Sequence, residues 1–118
     1  HVYELQEEVG AINAANGWHD RLNKLWGDHD DAGIADHVVA KLALIGTEVA
    51  EAIEDVRDGR MEATVTDTSK PVGLPSELAD IIIRTIDLAY VLGIDIDEAI
   101  VTKIAFNKTR ERLHGKRL

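Results

Sequence analysis

LPSELADIIIRTIDLAYVLG, residues Leu74 to Gly93, is apolar around most of a helix's circumference. At roughly 100° per residue, Leu78, Ile81, Ile82, Ile83, Ile86, Leu88, Ala89, Tyr90, Val91 and Leu92 cover nearly all of it, while Glu77, Asp80, Arg84 and Asp87 share an arc of about 80°. A helix of this kind is expected to be buried. Carboxylates on it must then face a partner, a cation or a water-filled cleft, because an unpaired buried charge is strongly destabilising. Ser76, after Pro75, is the expected N-cap, and Gly93 the expected stop.

Upstream, Ile34 or Ala35 to Arg57 reads as a long helix whose apolar stripe is Val38, Leu42, Ile45, Val49, Ile53 and Val56. The opposite arc holds Lys41, Glu48, Glu51 and Asp55, with Asp58 just past the end; taken alone it is an ordinary solvated face. Between the two helices, Asp58 to Pro75 is rich in turn formers and has no periodicity, which predicts a mobile loop over about 59–74. Val2 to Asn16 forms a first helix through Val2, Leu5, Val9 and Ile12, weakened by Gly10 and closed at Gly17. Trp18 to Gly33 is expected to be a polar connection with a short helical turn around Leu22 to Trp26. Asp28, Asp30 and Gly33 lie as in a calcium loop, but Ala32 and Val39 fall where ligands are required, so that reading fails. His19 and His29 match no metal-ligand spacing and are expected to be solvated surface residues. A last helix, capped by Asp95 or Asp97, runs to about His114 and carries Lys103, Asn107, Arg110 and His114 within an arc of roughly 60°. That stripe offers donors to an anion; the alternative, for Arg110 onward, is that the basic residues complement the helix dipole.

The 118 residues fit one domain, 1–118, and scarce aromatics with abundant Ala, Ile, Leu, Glu and Asp favour an all-α, four-to-five-helix bundle. A net charge of −9 argues against a nucleic-acid polymer as partner, since it repels phosphates. The absence of Cys rules out disulfides and thiolate metal sites and agrees with a cytoplasmic location. No apolar run is long enough for a membrane span, and no signal-peptide pattern is visible. An apolar helix that one small bundle cannot cover predicts a homodimer or homotetramer.

Glu48 and Glu51 stand three residues apart on one helix, Glu77 and Asp80 three apart on the next. Such pairs project side by side, so antiparallel packing gathers four carboxylates that cannot all remain ionised without cations. A hard divalent ion, Mg²⁺ with Mn²⁺ as the alternative, suits an all-oxygen donor set. TEVAEAIEDVRDGR, SELADIIIRTIDLAYVLGID and KIAFNKTRERLHGKR together resemble the MazG-like branch of the all-alpha nucleoside triphosphate pyrophosphohydrolases, in its phage and bacterial stand-alone form. The E-x-x-E and E-x-x-D signature is matched by Glu48, Glu51, Glu77 and Asp80, and the tail by Lys103, Asn107, Arg110 and His114-Gly115-Lys116. NGWHD resembles the Gly-Trp turn that precedes the acidic helix in these proteins. The chain departs from many relatives in carrying Thr47 where they have Glu.

The resemblance implies hydrolysis of a nucleoside triphosphate between the α and β phosphates, giving the monophosphate and pyrophosphate. It implies metal binding and catalysis by Glu48, Glu51, Glu77 and Asp80, with Glu51 also a candidate base. Lys103 and Arg110 would meet phosphate oxygens, and Asn107 phosphate or sugar. Trp18 is a candidate platform for the base, against the alternative of a packing anchor, and Asn13 a candidate reader of a base edge. Arg84 fits best as a group that orients the metal-binding carboxylates. Two other readings stand beside this one. The first is a phosphoribosyl-ATP pyrophosphatase-like enzyme. The second is a non-catalytic helical interaction protein whose acids pair with Arg84, Lys103 and Arg110.

Overall fold

The computed structural model describes residues 1–110 as helices α1 (Val2–Ala15), α2 (Asp20–Gly27), α3 (Asp31–Arg57), α4 (Leu74–Val91) and α5 (Ile96–Lys108). An antiparallel hairpin of β1 (Thr64–Val65) and β2 (Pro71–Val72), with Thr64 opposite Val72, lies between α3 and α4. The mostly helical fold agrees with the sequence pattern, and several boundaries differ for identifiable reasons. The short turn expected around Leu22 is a full helix, because Leu22 and Leu25 form an apolar side that is buried, Leu22 almost completely. α3 starts earlier than its apolar periodicity, since the Asp30 carboxylate caps it by accepting from the Gly33 N–H at 2.9 Å.

α4 also begins before its expected cap. Gly73, at φ 97°, is the N-cap, and Pro75 sits in the first turn where no N–H is needed. Ser76 is therefore inside the helix, with its hydroxyl donating to the Pro71 carbonyl at 3.2 Å. A side chain at Gly73 would meet the Glu62 carbonyl, so the backbone passes there only as glycine. At the other end of the chain, α5 stops at Lys108: the Thr109 hydroxyl donates to the Phe106 carbonyl at 2.7 Å, and Arg110 lies beyond the cap instead of on the helical stripe. His114, Gly115, Lys116 and Arg117 lie outside the described residues.

α4 is the central element, packed between α3 and α1. α3 runs antiparallel to it, Glu48 meeting Arg84 while Glu51 approaches Glu77. Along this seam the expected orientation of α3 is reversed. Its buried residues are Glu48, Ala52 and Asp55, whereas Leu42, Val49, Ile53 and Val56, from the stripe expected to face a core, are exposed. α4 is likewise not enclosed: Ile86 and Ala89 are buried, but Leu78, Ile82 and Ile83 stay open to solvent. The reason is the flat arrangement, 48 × 45 × 27 Å with a radius of gyration of 17.1 Å, against about 13 Å for a compact chain of this length.

α1 approaches α4 closely because of Gly10. Any side chain there would overlap the Tyr90 ring, so the glycine that weakens α1 as a helix is what lets the two helices touch. Gln6 adds a bond from its amide to the Ile94 carbonyl at 2.8 Å. Gly10→Ala gains helix propensity but overpacks this contact, and a net loss of about 1–3 kcal/mol is expected. Chemical denaturation should show it; an unchanged or raised midpoint would mean that the α1–α4 contact is looser than described.

Candidate functional site

Carboxylate oxygens of Glu48, Glu51 and Glu77 lie within 4.8 Å of one another at the α3–α4 seam. Each arrives by helical spacing: Glu48 and Glu51 project from adjacent turns of α3, and Glu77 from the first turn of α4. Glu48 is buried, Glu77 half-buried and Glu51 exposed, so the cluster opens to solvent on the Glu51 side. Arg84 crosses from α4 to hold Glu48, its Nε donating to Oε1 at 3.2 Å. Arg84 therefore holds a carboxylate of the cluster, its partner being Glu48 across the seam and not Asp80.

Glu77 Oε2 is buried without a hydrogen-bond partner among the described residues. Its neighbours are carboxylates, which when ionised can only accept. Burial, with Glu48 and Glu51 close by, pushes the Glu77 carboxyl up to about 7. A lone-pair-rich oxygen without a donor, among three hard oxygen ligands, is what a divalent cation satisfies; the residues present fit one. Asp80 is not in this group. It is exposed, one turn from Glu77, and faces a different space.

That space is a cavity of about 240 Å³ enclosed by α1, α2, α3 and α4. Asp80 and Arg84 lie on its wall and Arg84 also holds Glu48, so the cavity adjoins the acid cluster. Trp18, largely exposed, and Asn13, buried, are both among its lining residues. His37 and Lys41 of α3 line it too; burial first, then Lys41 and Arg21, lowers the His37 pKa below that of a free imidazole. On the other side of the cluster an open cleft is lined by Thr47, Glu51, Asp55, Arg60 and Glu77. Thr47, the departure noted above, spends its hydroxyl on the Ala43 carbonyl at 3.2 Å.

Sequence reasoning misjudged His19. It is buried, not solvated: Nε2 lies 2.8 Å from Asp87 Oδ1, and its ring stacks on Tyr90 at a centroid distance of 5.8 Å. His29 is exposed as expected. Asp55 was also hidden on the polar arc. It is buried, accepts at Oδ1 from Arg60 Nε at 3.0 Å with Nη2 of the same guanidinium also 3.0 Å from that oxygen, and so fastens the end of α3 to the segment that leads into the hairpin and on to Glu77. The only hint was its register, seven residues after Glu48 on the same face. Lys103, Asn107 and Arg110 line neither cavity; Lys103 and Arg110 lie over the Phe106 ring at 5.6 and 5.1 Å on the exposed side of α5. Among the described residues, Lys103, Asn107 and Arg110 share neither the acid cluster nor the two cavities beside it.

A phage protein, the dATP/dGTP diphosphohydrolase of cyanophage S-2L, is 50% identical to this chain over 36 residues. The match covers 30% of this chain and 34% of that protein, so the chain is matched to about a third of its relative's length. No family model matches the chain, and no solved structure matches it.

The raised Glu77 pKa has a direct consequence for stability. A carboxyl that titrates near 4.5 unfolded and about 7 folded holds its proton more tightly in the folded state. Its stabilising contribution is complete below pH 4.5 and is lost as pH rises to 7, unless a cation replaces the proton. Thermal melts in chelator should therefore fall across this window, and millimolar Mg²⁺ should raise the midpoint most at its upper end. Glu77→Gln should flatten the pH slope and reduce the Mg²⁺ effect. Parallel curves for the two proteins would place the cation elsewhere.

Proposed function

We propose that this chain is a MazG-like, Mg²⁺-dependent nucleoside triphosphate pyrophosphohydrolase, cleaving (d)NTP between the α and β phosphates to (d)NMP and pyrophosphate. The observation that carries the reading is the group of three carboxylates at the helix seam, one oxygen of it unpartnered, next to a cavity with an aromatic wall. The local likeness to a dATP/dGTP diphosphohydrolase supports the same chemistry. A non-catalytic cluster would account for Glu48 through Arg84 and for Glu77 only through a proton shared with Glu48 or Glu51, which a cation would displace.

Glu48, Glu51 and Glu77 would hold the cation; Asp80, one turn along α4 and facing the cavity, would complete the set only by turning its carboxylate toward the cluster. When bound, Mg²⁺ supplies positive charge against the phosphate oxygens and makes a water molecule more acidic. The chain's own residues do the rest. Arg84 keeps the Glu48 carboxylate in one orientation. Glu51, the exposed acid beside the open cleft, is placed to accept the proton of the attacking water as pyrophosphate leaves. The cavity takes the nucleoside: Trp18 stacks on the base and Asn13 offers both a donor and an acceptor. At about 240 Å³, it holds the nucleoside half and leaves the phosphates at the acids.

We further propose a cytoplasmic homodimer or homotetramer, with sites at or near the subunit interface. The exposed stripe Lys103, Asn107 and Arg110 then meets phosphate oxygens from a surface that one chain does not bring to the acids. Light scattering at micromolar concentration should give a dimer or tetramer mass; a monomer would contradict the assembly.

For the activity, a panel of canonical NTPs and dNTPs with Mg²⁺ should yield pyrophosphate and monophosphate and no free phosphate. Glu48→Gln and Glu77→Gln should each lower kcat/KM by about 10²-fold or more, on the scale of losing a major electrostatic group in a transition state. Asp80→Asn should cost as much if it completes the ligand set. Activity that survives these substitutions would refute the site.

A further inference from the structure

His19 occupies the N-cap position of α2 but does not cap it: no side-chain bond is made to the α2 backbone. Its bond goes instead to Asp87 on α4, and the ring, 5% exposed, lies beside Tyr90 at a centroid distance of 5.8 Å and an interplanar angle of 30°. An ionised carboxylate only accepts, so Nε2–H donates to Asp87 Oδ1, and in the neutral ring Nδ1 is left with its lone pair. Among the described residues nothing bonds to Nδ1, while His19 and Asp87 both line the cavity beside the acids. Asp87, on the cavity wall, thus sets the tautomer, and in the neutral ring the remaining atom is an acceptor.

We propose that His19 is a specificity-determining residue, whose Nδ1 accepts a hydrogen bond from an N–H or O–H donor of the bound nucleoside, with Asp87 as its positioning residue. The proposal rests on the cavity being the nucleoside site. Two sources fit the chemistry, an amino or imino N–H of the base and the 3′-hydroxyl of the sugar. A site that offers one acceptor discriminates against a ligand that lacks the matching donor, since that acceptor then loses its partner.

The test measures binding, so that it does not depend on turnover. Affinities of α,β-methylene dATP and of two analogues, one without the 6-amino group and one without the 3′-hydroxyl, are compared by calorimetry with Mg²⁺ for wild type, His19→Ala, His19→Asn and Asp87→Asn. In wild type, loss of the matching donor should weaken binding about 10- to 100-fold. His19→Ala should weaken the parent ligand similarly and the matching analogue less than about threefold, which identifies the group that is read. His19→Asn, which keeps an acceptor on a short side chain, should recover part of the discrimination, and Asp87→Asn should blunt it. Equal weakening of all three ligands by His19→Ala would assign His19 a structural role only, and no weakening would remove it from the site; either result overturns the proposal. Failure of all ligands to bind wild type would overturn it too. Tight, His19-dependent binding without pyrophosphate release would instead keep this proposal and sink the hydrolase reading.

Discussion

Two helices here are joined through carboxylates where most proteins would use apolar side chains. Two like charges about 4.8 Å apart repel by roughly 3 kcal/mol at an effective dielectric of about 20, and three acids make three such pairs. Arg84, itself half-exposed, is bonded among the described residues to Glu48 and offsets only part of that. The seam is therefore stable with a proton on Glu77 or with a cation among the three acids, and strained otherwise. This single constraint fixes much else: α3 must turn its acidic arc inward, and the pair needs Asp55, Arg60 and the hairpin to hold the start of α4 in register.

Turning the acids inward sends apolar residues outward. The accessible surface is 8688 Å², against about 6,300 Å² for a compact monomer of 13.0 kDa. Leu42, Val49 and Ile53 on α3, Ile82 on α4, and Val101, Ile104 and Phe106 on α5 all contribute to that excess. Burying such area at about 25 cal/mol per Å² is a large driving force. A polar seam at the centre and apolar faces at the rim are two aspects of one arrangement.

The acidic constellation was legible from spacing, because i, i+3 pairs on neighbouring helices can meet only in a few ways. Glu48, Glu51 and Glu77 met as expected, while Asp80 was drawn toward the cavity, a distinction of direction that spacing does not encode. The periodicity of α3 was legible, but not which side faced inward: hydrophobic patterning marks a boundary between two environments and is silent on whether the apolar one lies within the chain or beyond it. α2 was half hidden because eight residues with only Leu22, Leu25 and Trp26 as apolar signal fall below what a period can establish. His19 could not be found at all, since its partner lies 68 residues away and a buried imidazole has no local signature.

The acid cluster and the cavity that His19 lines are built from different segments. The acids come from α3 and the first turns of α4, whereas Asn13, Trp18 and His19 come from the end of α1 and the start of α2. α4 serves both, with Glu77 at one end and Asp87 two to three turns further on. Changes near the α1–α2 junction can therefore alter the shape and hydrogen-bonding of the cavity without moving a carboxylate, provided Gly10 still lets Tyr90 lie against α1 and under the imidazole. The cavity and the acid cluster thus draw on different segments at the α1–α2 junction and at the start of α4, and are tied together by α3 and α4, which contribute residues to both.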